Sequence, residues 1–85
     1  MSLTSEYLDD AIRNRLEAVY VECADTSGGC GQAFEVIIVS PVFAGKNRLM
    51  RHRLVNQALR EEINSIHAFT QKNYTPEEWT KLHGA

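Results

Sequence analysis

Cysteine is scarce, and that scarcity excludes a whole class of small proteins. Two cysteines in 85 residues cannot make the dense disulfide framework that staples secreted mini-domains, so reduced thiols and a cytosolic or nuclear setting are expected. No apolar run approaches the ~20 residues that span a bilayer, and no membrane partner is expected. Residues 1–10 are polar and acidic, unlike the apolar centre of a signal peptide, and an Arg-rich, acid-poor presequence is missing too. Positive charge is not in excess. Nine Lys and Arg stand against eleven Asp and Glu, a formal net charge of -2, whereas dedicated nucleic-acid binders more often carry a basic surplus. Glycine is concentrated in one stretch, Gly28-Gly29-Cys30-Gly31, and repeats, linkers and low-complexity tracts are absent. A chain of this size forms one domain with a single core and no deep, walled cavity, so partner surfaces are the expected seat of function.

What is present is a series of well-marked elements. Leu8, Ile12 and Leu16 recur every four residues, and Ala11 and Val19 widen the stripe, which predicts an amphipathic helix over about 5–18. Thr4 is its expected N-cap, and Glu6, Asp9 and Asp10 suit the positive end of the helix dipole. Residues 20–25 read as a short strand and 26–31 as a hairpin loop. Residues 32–40 read as a second strand with Phe34, Val36 and Ile38 on one face and Glu35, Ile37 and Val39 on the other. That pattern fits a central strand with one dry side, ended by Ser40-Pro41. The spacing of Val55, Leu59 and Ile63 predicts a second helix that starts between Asn47 and Arg51 and runs to about Ser65, before a third strand over 68–73. A strand-helix-strand unit crosses over right-handed and pairs strands 2 and 3 in parallel, while the short loop makes strands 1 and 2 antiparallel. Thr75-Pro76-Glu77-Glu78 supplies an N-cap Thr, a Pro at the first helical position and a Glu at the third, a capping box for a short last helix carrying Trp79 and Leu82. The expected fold is α+β in the order αββαβα, a three-stranded mixed sheet covered by helices, in a single domain over 1–85.

Few side chains stand out chemically. Cys30 lies between Gly29 and Gly31, with little crowding and a permissive backbone, so its thiol is expected to be reachable as a ligand or redox group; the alternative is a loop cysteine with no role. Cys23 shares a strand face with Val21 and reads as core. His67, between Ile66 and Ala68, falls where the second helix gives way to the third strand, and a lone His there is more often structural than a ligand. Lys46, Arg48, Arg51 and Arg53 gather at the start of a helix, where positive charge is unfavourable by some tenths of a kcal/mol each. They serve either a partner or plain solvation, with His52 in a supporting role. His83 has no clear role. No nucleophile, base and orienting acid can be placed together, and Gly28-Gly29-Cys30-Gly31 is not a phosphate loop, so no enzyme is expected. A zinc site from Cys23, Cys30 and two histidines lacks paired short spacings.

The ordered set of these features resembles the BolA-like family. It comprises the Gly28-Gly29-Cys30-Gly31 loop, the stretch VSPVFAGKNRLMRHRLVNQAL over 39–59 with Arg51-His52-Arg53, then Ile66-His67-Ala68-Phe69 and Thr75-Pro76-Glu77-Glu78-Trp79. The resemblance covers nearly the whole chain and implies a fold similar to class II KH domains. In that family the His opening the third strand is offered to a 2Fe-2S cluster, and His67 matches it; the second ligand is a Cys in the loop between strands 1 and 2, matched by Cys30. One His and one Cys are half of the four ligands such a centre needs. The resemblance implies that a monothiol glutaredoxin with a Cys-Gly-Phe-Ser active site supplies the rest, through its Cys and bound glutathione, in a cluster-bridged heterodimer. The chain would then be an iron-sulfur adaptor in cluster trafficking or iron regulation, with Lys46, Arg48, Arg51, His52 and Arg53 on the docking surface at the His67 end of the domain. A His ligand is lost to protonation more readily than a thiolate, which suits transfer. The competing expectation is a KH-like nucleic-acid-binding transcriptional regulator, supported by similarity to bacterial BolA proteins and by the basic stretch. Against it stand the net charge and the lack of a Gly-x-x-Gly loop between two helices; Phe43-Ala44-Gly45-Lys46 is not that motif. The loop cysteine makes the chain more similar to the eukaryotic cytosolic branch.

Overall fold

In the computed structural model, which describes residues 3–28 and 32–84, the apolar stripe of the first helix becomes one wall of the core. Helix α1 (Ser5–Leu16) opens at Thr4, whose Oγ1 accepts the Tyr7 N–H at 3.1 Å, and buries Leu8, Ala11, Ile12 and Leu16. It stops short of residue 18 because Glu17 turns left-handed at φ 52°. The buried Ser40 hydroxyl donates to the freed Leu16 carbonyl at 2.6 Å, satisfying an acceptor that the helix end leaves open.

Strands β1 (Tyr20–Asp25), β2 (Ala33–Val39) and β3 (Ala68–Tyr74) form one sheet in the order β1-β2-β3. β1 and β2 are antiparallel, with Val21 opposite Ile38; β2 and β3 are parallel, with Phe34 opposite Phe69. Strand alternation sends Val21, Phe34, Val36 and Ile38 to the face under α1, where all four are buried. On the opposite face Val39 is also buried, between its register neighbours Tyr20 and Tyr74. The Trp79 ring lies 5.2 Å from the Tyr20 ring and 5.5 Å from the Tyr74 ring, so the last helix lays its indole across that end of the sheet.

A 3-10 turn (Pro41–Phe43) drops Phe43 into the core and leads to α2 (Arg48–Ala58), capped by Asn47. The single helix expected up to Ser65 is instead two, because the ladder breaks at Leu59 and restarts as α3 (Arg60–Asn64). The cause is a side chain in the ladder. Arg15 donates to the Ala58 carbonyl at 3.0 Å, the group that a continuous helix would offer to the Glu62 N–H. Leu59 stays fully buried at the break, and Glu62 is drawn toward α1. Helix α4 (Pro76–Leu82) starts on the expected capping box of Thr75 and Glu78. Among the described residues the result is a three-stranded mixed sheet with four helices, α+β. Among the described residues no helix is long and apolar enough to cross a membrane.

Candidate functional site

His67 owes its position to the end of α3. Ser65 and Ile66 close the helix with N–H bonds to the Glu62 and Ile63 carbonyls, and the chain turns directly into β3. The His67 N–H then donates to the Gln32 carbonyl at 2.7 Å, and the Ala68 N–H shares the same oxygen at 3.2 Å. The side chain is exposed, and no hydrogen bond to its ring occurs among the described residues. Its backbone is thus tied to the end of the β1–β2 connection while its imidazole nitrogens stay available.

The mouth of that connection is closed by a short relay. Asp25 Oδ1 accepts the Ser27 N–H at 2.8 Å and its hydroxyl at 2.5 Å, and Ser27 Oγ accepts the Gln32 N–H at 3.2 Å. The same peptide segment that bonds His67 is therefore anchored through Ser27 to β1. Cys30, with its neighbours Gly29 and Gly31, lies outside the described residues; Gln32, two positions further along, is inside them. Sequence reasoning passed over Ser27, although an Asp-x-Ser pair at a strand end is a recognisable turn signal. Ser27→Ala is expected to keep the fold and remove about 1 kcal/mol locally. Amide exchange at Gln32 and His67 should then speed up roughly fivefold. Unchanged exchange at both amides would show that Ser27 does not hold this end together.

The second sequence-predicted cluster sits elsewhere. β3 carries the chain six residues from His67 to Asn73, about 20 Å at ~3.3 Å per residue, and Lys46, Arg48, Arg51 and His52 line a groove at that far end. The structure does not bring the basic stretch and His67 together, because α2 crosses back over the sheet antiparallel to β3. Nor are its cations equivalent. Arg51 is only 14% exposed and makes four hydrogen bonds: Nε to the Lys46 carbonyl, Nη1 to the Asn73 carbonyl, and a bidentate pair to Glu78 at 2.7 and 3.0 Å. Its guanidinium also lies 5.9 Å from the Phe43 ring centre. Arg51 braces α2, β3 and α4 against one another, and its hydrogen bonds hold the Glu78 carboxyl down at about 2. Lys46 Nζ is bonded to the Val42 carbonyl at 3.0 Å. His52 is half-buried in the groove wall, and Arg48 and Arg53 are exposed. Lys72 joins the same groove from β3, a partner that only the parallel register reveals.

Cys23 is half-buried on the inner face beside Val21, and burial, assisted by the charges of Asp9, Asp25 and Glu6, pushes its thiol up to about 11. A thiol so raised stays protonated at neutral pH and is a poor metal ligand. The described residues contain no group of three or more His, Cys, Asp or Glu side chains that could hold a metal ion. His83 packs its ring 4.0 Å from Trp79 and so belongs to the aromatic cluster on α4.

The described residues form an α+β domain that displays its distinctive side chains on exposed loop and strand ends, with one open groove between α2 and α4. The BolA-like protein family model matches residues 11–78, and the chain belongs to that family. It is 50% identical to BolA-like protein 2 of Mus musculus over 95% of each chain. With BolA-like protein 2 of Saccharomyces cerevisiae the identity is 46%, over 96% of this chain and 69% of the yeast protein. The crystal structure of a bol-like protein from Babesia bovis superposes with a TM-score of 0.87 at 41% identity, covering 98% of this chain and 96% of that one.

Proposed function

We propose that the chain is an iron-sulfur adaptor, not an enzyme, that pairs with a monothiol glutaredoxin to hold a bridging 2Fe-2S cluster as cargo. His67 and Cys30 are its two ligands, and the glutaredoxin Cys and a bound glutathione are the other two. What supports this most is the bond from the His67 N–H to the Gln32 carbonyl. In the sequence Cys30 stands two residues before Gln32, the residue to whose carbonyl His67 is tied. The exposed imidazole adds to this, since a ligand handed between proteins has to be reachable from outside. Membership of the BolA-like family is consistent with the same role. A domain offering two ligands leaves a four-ligand centre half complete, which makes the partner obligatory and the cluster transferable. Cytosol or nucleus is the proposed setting, where the thiols stay reduced.

Reconstitution tests this directly. The isolated chain, followed by visible absorption and circular dichroism, should retain no stable 2Fe-2S cluster, whereas a 1:1 mixture with a Cys-Gly-Phe-Ser glutaredoxin and glutathione should. A stable cluster on the pure monomer would overturn the proposal. Tight, steeply salt-dependent DNA binding with no partner present would point instead to a nucleic-acid function.

A further inference from the structure

The free edge of β3 carries the features of a docking strip. Successive peptide groups along a strand point to alternate sides. The Ala68 N–H bonds to the Gln32 carbonyl and the Tyr74 carbonyl to the Ser40 N–H, so the even-numbered residues of β3 face β2. Phe69, Gln71 and Asn73 therefore direct their N–H and C=O groups outward from an end strand. Arg51 occupies the Asn73 carbonyl. Among the described residues nothing else bonds to that edge.

The groove of about 610 Å³ at the far end of β3 lies along this edge. Its floor is four consecutive residues, 71–74, whose side chains belong to both faces of the sheet, so the groove meets the strand edge-on. Asn73 Oδ1 is buried with no hydrogen-bond partner, below the surface that an incoming group can reach. The Asn73 amide nitrogen donates to Gln71 Oε1 at 2.8 Å, and the Gln71 amide nitrogen donates to Asn56 Oδ1 at 2.9 Å. These side-chain bonds leave the outward Gln71 N–H and C=O unused among the described residues, on the open side of the groove. Arg48 and Lys72 flank it without an ion pair among the described residues, while Leu82, 61% exposed, offers an apolar contact from α4.

We infer that this groove binds an extended acidic peptide segment of a partner protein, added to the sheet as a fourth strand along β3. Its backbone N–H groups supply the donor that the Gln71 carbonyl lacks, and its carbonyls accept from the outward Gln71 and Asn73 N–H groups. Its carboxylates meet Arg48 and Lys72, and an alternate apolar side chain lies on Leu82. A nucleic acid fits less well, because a phosphodiester brings acceptors and no donor for the outward Gln71 carbonyl, and the Glu78 carboxylate in the wall would repel it. The inference does not depend on the cluster reading, since the groove lies at the end of β3 away from His67.

The test is an NMR titration of the ¹⁵N-labelled chain with a blocked hexapeptide that alternates valine and aspartate. Shifts and slowed exchange are expected at the Gln71 and Asn73 amides. Two rim charges together contribute on the order of 1–2 kcal/mol, so Arg48→Glu combined with Lys72→Glu should weaken binding about tenfold. Both side chains are exposed and form no ion pair among the described residues, so the fold should persist. N-methylating alternate peptide amides, which removes donors and leaves charge unchanged, should weaken binding by a similar factor. Equal affinity for the N-methylated peptide, no response at these amides, or tighter binding of a short single-stranded oligonucleotide at the same residues would each overturn the inference.

Discussion

Replacing His67 with alanine should abolish the heterodimer's cluster signature and return the cluster to the glutaredoxin homodimer. The fold should be unaffected, because His67 is exposed and its bond to Gln32 uses the backbone N–H, which alanine keeps. The loss is therefore readable as chemistry and not as unfolding. Visible circular dichroism of the reconstituted mixture, with native mass spectrometry to count chains, is the measurement. Identical spectra for wild type and variant would remove His67 from the ligand set. Cys30→Ala is expected to be milder. A ligand on a glycine loop is less pre-organised than one at a strand end, so water or another group can take its place more easily. The basic stretch needs a different experiment from the one its charge invites. Arg51→Glu would break the brace to Glu78 and the Asn73 carbonyl, so the steering of any partner is tested with Arg48 and Arg53 instead.

Removing the Glu62 carboxylate should give the largest loss of stability. Glu62 is 6% exposed and accepts from the Tyr7 hydroxyl at 3.0 Å and from both Arg15 terminal nitrogens at 2.9 and 3.0 Å, joining α3 to α1. Glu62→Ala leaves the Tyr7 hydroxyl without its acceptor and Arg15 with the Ala58 carbonyl alone. Arg15, whose side chain is 41% exposed, recovers water, so the cost is set at about 2–3 kcal/mol, below the full value for a broken buried pair. At ~4–8 °C per kcal/mol for a domain of this size, the melting temperature should fall by roughly 10–20 °C.

The pH dependence has a definite sign. Hydrogen bonds from Arg15, ahead of all other causes, lower the Glu62 carboxyl below its ordinary range. Its contribution is therefore complete above the unfolded value of about 4.3 and is lost as pH falls through the lower folded value. Glu78, held at about 2 by Arg51, acts in the same direction and lower down the scale. Its side chain is 45% exposed, which keeps its share under about 1 kcal/mol. Melts of wild type and Glu62→Gln should differ at pH 7 and converge in acid. A difference that stayed constant with pH would mean that shape and not charge makes Glu62 important.

Much of the fold was legible in the chain because its signals act over a few residues. Thr4 and Thr75 cap helices through N–H groups three positions away, the alternation of residues 34–38 is a property of any half-buried strand, and the Gly-rich loop joins strands that must run antiparallel. The position of His67 at a strand start was equally local. What the chain alone left open depends on partners far apart in sequence. Arg15 interrupts a helix 43 residues away, and Arg51 finds Glu78 27 residues on, neither with a spacing that marks it. The groove beside Asn73, and the distance between His67 and the basic stretch, follow from the parallel register of β2 and β3 and from the course of α2 back across the sheet. Hydrophobic periodicity encodes which face of an element is buried. It does not encode which ends of two elements meet, and that was decided only when the elements packed.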